Sequence, residues 1–333
     1  MNLKSLANSI KAFAGLTRKY MIVEITKQMQ ETLIAIPSDV KVVHSFGEDC
    51  AVIDIGDNDK YLLFAAEAMW HTLMEADPHF AGYCSVLVNV NDVTVKGGTP
   101  IAILDTLATI SPKIRNKVVQ GIRNGCEKFK VPVVGGHLNP DAPYNALMVA
   151  IIGMVPKKWL IRSDTARSGD LIVVAMDLDG HFHPYFEFAW DTTTHKSTDE
   201  IEERLQSIRE IACNRLATAA KDISNPGVIG TLGMLLETSN MGGEINITKI
   251  PKPPKVSLEH WVKAYPGFGV VLTAPPTTVD NCISIFHTHG VASEIIGEVD
   301  NSKTLLLTDG KSSVNIFNFK EENFSGKPRI EKP

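Results

Sequence analysis

Carboxylates crowd the edges of apolar segments in this sequence. In "GEDCAVIDIGDNDKYLLFAAEAMW" (residues 47–70), Glu48 and Asp49 precede one apolar run and Glu67 sits at the end of a second. Asn91 and Asp92 interrupt a valine-rich stretch, and Lys221-Asp222-Ile223-Ser224-Asn225 follows another apolar segment. An ionised carboxylate taken out of water is costly unless a cation pairs with it. Few Lys or Arg neighbour the first three clusters in sequence, so a divalent metal is the cation this pattern predicts. Hard ions such as Mg²⁺ take carboxylate oxygens and share their remaining positions with water and phosphate. Acids without paired His or Cys therefore point to a Mg²⁺–nucleotide rather than to zinc. Asp and Asn also favour turns and helix caps, so any one cluster alone reads equally as a turn or a cap.

Other segments could serve a phosphate. In "VVGGH" (133–137) the glycines Gly135 and Gly136 let backbone N–H groups approach an anion, and His137 is a ligand, a base or a plain turn residue. "SNPGVIGTLGMLLE" opens a helix whose first amides suit an anion, or are simply capped. His181 and His183 stand two apart and face the same way if extended, yet no further zinc ligands are evident.

These residues need a scaffold. Leu3, Leu6, Ile10 and Phe13, then Ile22, Ile25 and Met29, recur at helical spacing up to about Leu33. Residues 50–55 and 61–66 read as strands joined by the turn "GDNDK". "CSVLVNVNDVTVKGG" is rich in β-branched residues, but Ser85, Asn89, Asp92 and Lys96 form one stripe at helical spacing and Val86, Val90 and Val93 another, which predicts a helix. Ser111-Pro112 starts a helix whose Ile114, Val118 and Ile122 face inward. "VPVVGGH" and "ALMVAIIGMV" read as buried strands. Polar sequence at 157–169 suggests a domain boundary, followed by a strand, a long helix over about 199–220, the "KDISNPG" loop, a helix over about 228–239 and further strands and helices in alternation. The expected divisions are a helical segment 1–35, a first domain 36–156, a second 165–310 and a loosely held tail 311–333.

The composition fits a compact globular chain: 333 residues, 44% hydrophobic and 21% charged, with a net charge of −5. No dense basic cluster suits a nucleic-acid backbone, and no apolar stretch reaches membrane-helix length. The N-terminus makes a poor signal peptide and the five cysteines fit no disulfide framework, so a cytoplasmic location is expected.

Taken in order, the clusters resemble the ATP-binding superfamily of aminoimidazole ribonucleotide (AIR) synthase, thiamine-monophosphate kinase, selenophosphate synthetase and the hydrogenase-maturation dehydratase. "GEDCAVI" is similar to that family's "GDDAAV", "VNVNDVTVKGGTP" to "VNxSDxxAMGAxP", "VVGGH" to its "GGD/GGH/GGE" turn and "KDISNPG" to "xDISDGL". "GLTRKY", "SNPGVIGTLGMLLE" and "YPGFGVVLT" look like the AIR synthase-related branch that includes a methanogenesis-marker group, which suits an archaeal source. The resemblance implies a two-domain α+β and α/β fold: an N-terminal sheet that joins a second copy in a dimer barrel, and a C-terminal α/β sandwich. It implies ATP and Mg²⁺ as cofactors and a small-molecule substrate, with no nucleic-acid or membrane partner. By position Asp49, Glu67, Asp92 and Asp222 would hold metal. Gly47, Glu48, Asn91, Gly135, Gly136, Ser224 and Asn225 would hold nucleotide, and Asp222 and His137 would serve catalysis.

Departures bear on the reaction. "PGFGVVLT" lacks the acids of the kinase's "GEDYELLFT", and Asn225-Pro226 replaces the acid of "SDG". The selenophosphate enzyme uses a Cys or selenocysteine near its N-terminus with a glycine-rich loop, whereas the first cysteine here, Cys50, lies within the core strand. "KPRIEKP" lacks the carrier cysteine of "PRIC". The expected activity is ATP-dependent phosphorylation or activation of an oxygen on a small molecule. The alternatives are a nucleotide-binding assembly or regulatory protein with reduced catalysis, and AIR synthase or thiamine-monophosphate kinase activity proper.

Overall fold

A computed structural model of the chain describes residues 2–34 and 39–327. The expected boundary at 35–36 and the last residues from 328 lie outside the described residues.

The first sheet has six strands in the order Lys41–His44, Ala51–Asp54, Lys60–Ala68, Ala146–Pro156, Thr99–Ala108, Val133–Asn139. The predicted hairpin is present: Ala51 lies opposite Phe64 in an antiparallel pair. Its turn is closed by the Asp57 carboxylate, which accepts from the N–H groups of Asp59 and Lys60 at 2.8 Å. The helix Pro78–Val95 covers one face of this sheet, with Asp77 as its cap and Pro78 in its first turn. Both of its predicted stripes are buried, because the sheet and the second domain enclose it: Val86, Val90 and Val93 on one side, Ser85, Asn89 and Lys96 on the other.

A second helix, Pro112–Phe129, is capped by the Ser111 hydroxyl and packs on the first. The two touch through glycines: a methyl group on Gly121 would lie 1.9 Å from the carbonyl oxygen of His79. Gly121→Ala is therefore expected to destabilise the fold by about 1–3 kcal/mol through overpacking. A thermal melt of the variant checks this, and an unchanged melting temperature would contradict so close an approach.

The strand Val133–Asn139, expected to be buried, is exposed along its length. Among the described residues it is an edge strand, paired with Thr99–Ala108. Its apolar residues adjoin an uncovered sheet face on which Phe64, Leu104 and Met148 are exposed.

The second sheet runs in the order Ala219–Asp222, Gly269–Ala274, Leu171–Met176, Ala292–Asp300, Gly242–Asn246, Thr304–Thr308, Ser313–Asn318. Period-two alternation divides its strands between two cores. Val173 and Ala175 pack with the first domain and with the helices Thr198–Cys213 and Val279–Thr288, while Ile172, Val174 and Met176 pack with Gly227–Thr238 and the N-terminal helix Leu3–Lys11. This is the helix-covered α/β layer expected of the second half.

Two expectations are corrected. The long helix ends at Cys213, where Arg215 turns left-handed (φ 55°), and Ala219–Asp222 is instead a buried strand. The tail up to residue 327 is not loose: Ser313–Asn318 pairs antiparallel with Thr304–Thr308, and Phe317, Phe319 and Phe324 are buried aromatic anchors. Among the described residues, no helix is long and apolar enough to cross a membrane.

Candidate functional site

Three chain segments converge where the sheets meet. Asp49 sits in the turn before Ala51–Asp54, Asp92 in the last turn of Pro78–Val95, and Asp222 at the end of Ala219–Asp222. Each offers a carboxylate oxygen within 4.8 Å of the others. They border a cavity of about 590 Å³ that also takes in Gly47, Glu48, Glu67, Asn91, Ser224 and Asn225. Gly47 has φ +91°, a left-handed conformation that suits glycine at this turn.

The glycine turn is elsewhere. Gly135, Gly136 and His137 lie on the exposed edge strand and do not line the cavity. Register places His137 beside Thr106, itself beside Met148, on the uncovered face of the sheet. The helix and the acids are on the other face. Nor do the two histidines act together: a register shift between Phe182 and His183 turns them apart. His183 is buried, stacked on Phe80 at 4.4 Å, while His181 is largely exposed.

The supposed scarcity of cations is also corrected, because two lysines are buried among the acids. Lys96 lies 2.9 Å from Glu48 Oε2 and 2.8 Å from Asp49 Oδ2, and donates to the Ala220 carbonyl at 3.0 Å. Lys221 ion-pairs with Asp49 Oδ1. The Ser163 N–H donates to Glu48 Oε1 at 2.9 Å. Both residues stood within segments the sequence reading singled out, Lys96 on the polar stripe and Lys221 in the fourth cluster. What the reading lacked was which carboxylates fold would bring to them.

The two cations divide the acids into two classes. Burial acts against ionisation of Asp49, yet the charges of Lys221 and Lys96 outweigh it and hold the carboxyl below its ordinary value. Asp92 has no such partner, and burial with the negative charges of Asp222, Glu67 and Asp49 pushes it well above its ordinary value. Burial, then the charge of Asp49, pushes Asp222 up to about 7. Glu67 opens onto the cavity, so its surface is wetted, but protein enclosing that cavity raises its carboxyl too.

A divalent cation fits this donor set. Asp92 Oδ2 is buried without a hydrogen-bond partner, as is Asn91 Oδ1, whose own amide donates to the Gly267 carbonyl at 2.9 Å. Hard oxygen donors with unmet negative charge are what Mg²⁺ or Mn²⁺ binds. Asp92, Asp222 and Glu67 have charge to spare; Asp49 and Glu48 are already neutralised.

Further along, the cavity is aromatic. Trp70 meets Phe186 at 6.2 Å and Tyr265 edge-on at 6.0 Å, and Arg18 lies 4.8 Å over the Trp70 ring. Flat apolar walls of this kind suit a ring system. These residues are scattered between positions 18 and 265, so no local sequence signal joins them.

The sequence matches the family description "AIR synthase related protein" twice, as N-terminal domain over residues 47–155 and as C-terminal domain over 167–309. An uncharacterized protein of Methanocaldococcus jannaschii is 44% identical across 98% of this chain and all of its own length. Thiamine-monophosphate kinase of Pyrococcus abyssi is 27% identical over 80% of this chain and 87% of its own. Among solved structures, T. maritima PurL complexed with ATP superposes with a TM-score of 0.69 at 18% identity, over 83% of this chain and 47% of that one. AaThiL complexed with AMPPCP and TMP does so at 0.64 and 19% identity, over 88% of this chain and 96% of that one. The two-domain fold is thus shared with proteins solved with nucleotides bound.

Proposed function

This chain belongs to the AIR synthase related family, and from that membership we propose that it is an ATP- and Mg²⁺-dependent enzyme that phosphorylates or activates an oxygen of a small molecule. The observation that carries the reading is the meeting of Asp49, Asp92 and Asp222 within 4.8 Å, with a buried, partnerless Asp92 oxygen facing this acid cluster.

A divalent ion held there supplies positive charge to phosphate oxygens. Asp92 and Asp222 hold it, and Glu67 lies within reach at the cavity wall. Lys221 and Lys96 keep Asp49 ionised and its turn fixed, so that Gly47 and Glu48 keep their place. The carboxyl of Asp222, pushed up to about 7 in the metal-free protein, would exchange its proton for the ion on metal binding. Burial of the acids excludes competing water, and the aromatic walls take the planar part of a bound molecule. The uncovered apolar face of the first sheet supports a homodimer.

Titration calorimetry with a non-hydrolysable ATP analogue, with and without Mg²⁺, tests the reading. The expected result is Mg²⁺-dependent binding that Asp92→Asn abolishes. Absence of binding under both conditions would overturn it.

A further inference from the structure

Both oxygens of Asp49 are already taken by ammonium groups, Oδ2 by Lys96 at 2.8 Å and Oδ1 by Lys221. Lys96 is fully buried, and its remaining partners are Glu48 and the Ala220 carbonyl on the second domain's sheet. We propose that Lys96 and Lys221 form a built-in cation that makes Asp49 a positioning residue, so that the divalent ion is held by Asp92 and Asp222 without Asp49. The inference rests on the metal-binding reading above and narrows it to particular residues.

The charges favour this division. Within the cluster, Glu48 and Asp49 face two ammoniums, a balanced set that needs no further cation. Asp92 and Asp222 have none to themselves: Glu48 Oε2, Asp49 Oδ2 and Asp92 Oδ2 are all buried without a hydrogen bond of good geometry, but the first two have the Lys96 ammonium within 2.9 Å and Asp92 Oδ2 has no ion-pair partner. A metal drawn to Asp49 would have to displace a buried lysine and leave its charge stranded, which costs more than binding where the negative charge is unmet.

Binding of Mn²⁺ alone to the full chain, followed by calorimetry, provides the test, with thermal melts to establish that each variant is folded. Wild type should bind one Mn²⁺, and Asp92→Asn should weaken it by at least about tenfold, as loss of a ligand does. Asp49→Asn alone is ambiguous, because it also adds net positive charge beside the ion. The decisive variant is Lys96→Met with Asp49→Asn, which removes the oxygen and one positive charge together; it should bind Mn²⁺ within about threefold of wild type, since no first-sphere donor is lost. Loss of Mn²⁺ from that folded variant as severe as in Asp92→Asn would overturn the inference while leaving the metal reading intact. Absence of Mn²⁺ binding by wild type would overturn both. If that double variant does not fold, Lys96→Gln with Asp49→Asn, which makes the same balanced change of charge with polar side chains, decides: Mn²⁺ binding within about threefold of wild type is expected. Binding weakened as severely as in Asp92→Asn would sink the proposal.

Discussion

Asp92→Asn should lower ATP-dependent phosphate release by about 10²- to 10³-fold, the scale at which loss of one preorganised charge in a dry site is felt, and should at the same time make the ligand-free protein more stable. Asp92 is buried in the last turn of its helix, has an oxygen without a donor, and faces the charges of Asp222, Glu67 and Asp49. In the absence of a cation this carboxyl stays inside the fold only by keeping a proton that the unfolded chain releases at neutral pH. Asn keeps the shape without that cost, so a gain on the order of 1 kcal/mol is expected, the familiar exchange between stability and activity at functional sites. Steady-state phosphate release and a thermal melt of the same preparation measure both halves. Full turnover in the variant would remove Asp92 from the chemistry. A lower melting temperature would mean that its carboxylate makes a favourable contact in the ligand-free fold.

The ligand-free protein should also lose stability as pH rises from about 4 to about 7, the reverse of ordinary acid denaturation. The sign follows from Asp222, whose carboxyl titrates near 3.8 when unfolded and is pushed up to about 7 when folded. Between those values the folded state binds a proton that the unfolded state does not, so each step up in pH favours unfolding. One pKa unit corresponds to about 1.4 kcal/mol, which bounds the loss from this group at roughly 4 kcal/mol. Asp92 and Glu67 act in the same direction, while His44, whose ring burial holds below its ordinary value, opposes them in the upper part of this window and only partly offsets them. Asp49 acts oppositely but in another window, because its carboxyl is held low and its stabilisation disappears only as pH falls below the ordinary carboxylate range. Urea denaturation at a series of pH values measures the slope, and Mg²⁺ should flatten it by taking the proton's place on Asp92 and Asp222. Stability that rises with pH across this range in metal-free buffer would contradict the buried, unpaired state of these acids.

Much of this architecture was legible in the sequence, for reasons that differ by element. The helix Pro78–Val95 was recoverable despite its valines because two stripes kept helical spacing; both proved buried, so the polar stripe marked the site and not a wetted surface. The hairpin before Glu67 was recoverable because Asp57 writes its turn chemistry locally. Val133–Asn139 misled because apolar strand sequence says that a strand is covered by something, not by what, and among the described residues nothing covers it. The strand Ala219–Asp222 was absorbed into the preceding helix because small residues carry no period. Among the site residues, Asp49, Asp92 and Asp222 were found by their positions against apolar runs. The pairing of Lys96 and Lys221 with Asp49 was not, since it depends on residues far apart in the chain, and the same holds for Trp70, Phe186 and Tyr265.

The buried ion pairs also set the order in which this protein can be made. Asp49 and Lys221 are 172 positions apart, and the core that holds Val86 and Val90 also holds Val173 and Leu272. At ordinary synthesis rates of about 5–20 residues per second, a ribosome needs roughly 10–35 s to travel from the acid to its lysine. During that interval the first sheet carries Glu48, Asp49 and Asp92 with half of their cation missing and part of its apolar cover still unmade. Completion of the site and of the shared core therefore waits for the second half of the chain, and until then the first half carries buried acids without one of their lysines and an incompletely covered core.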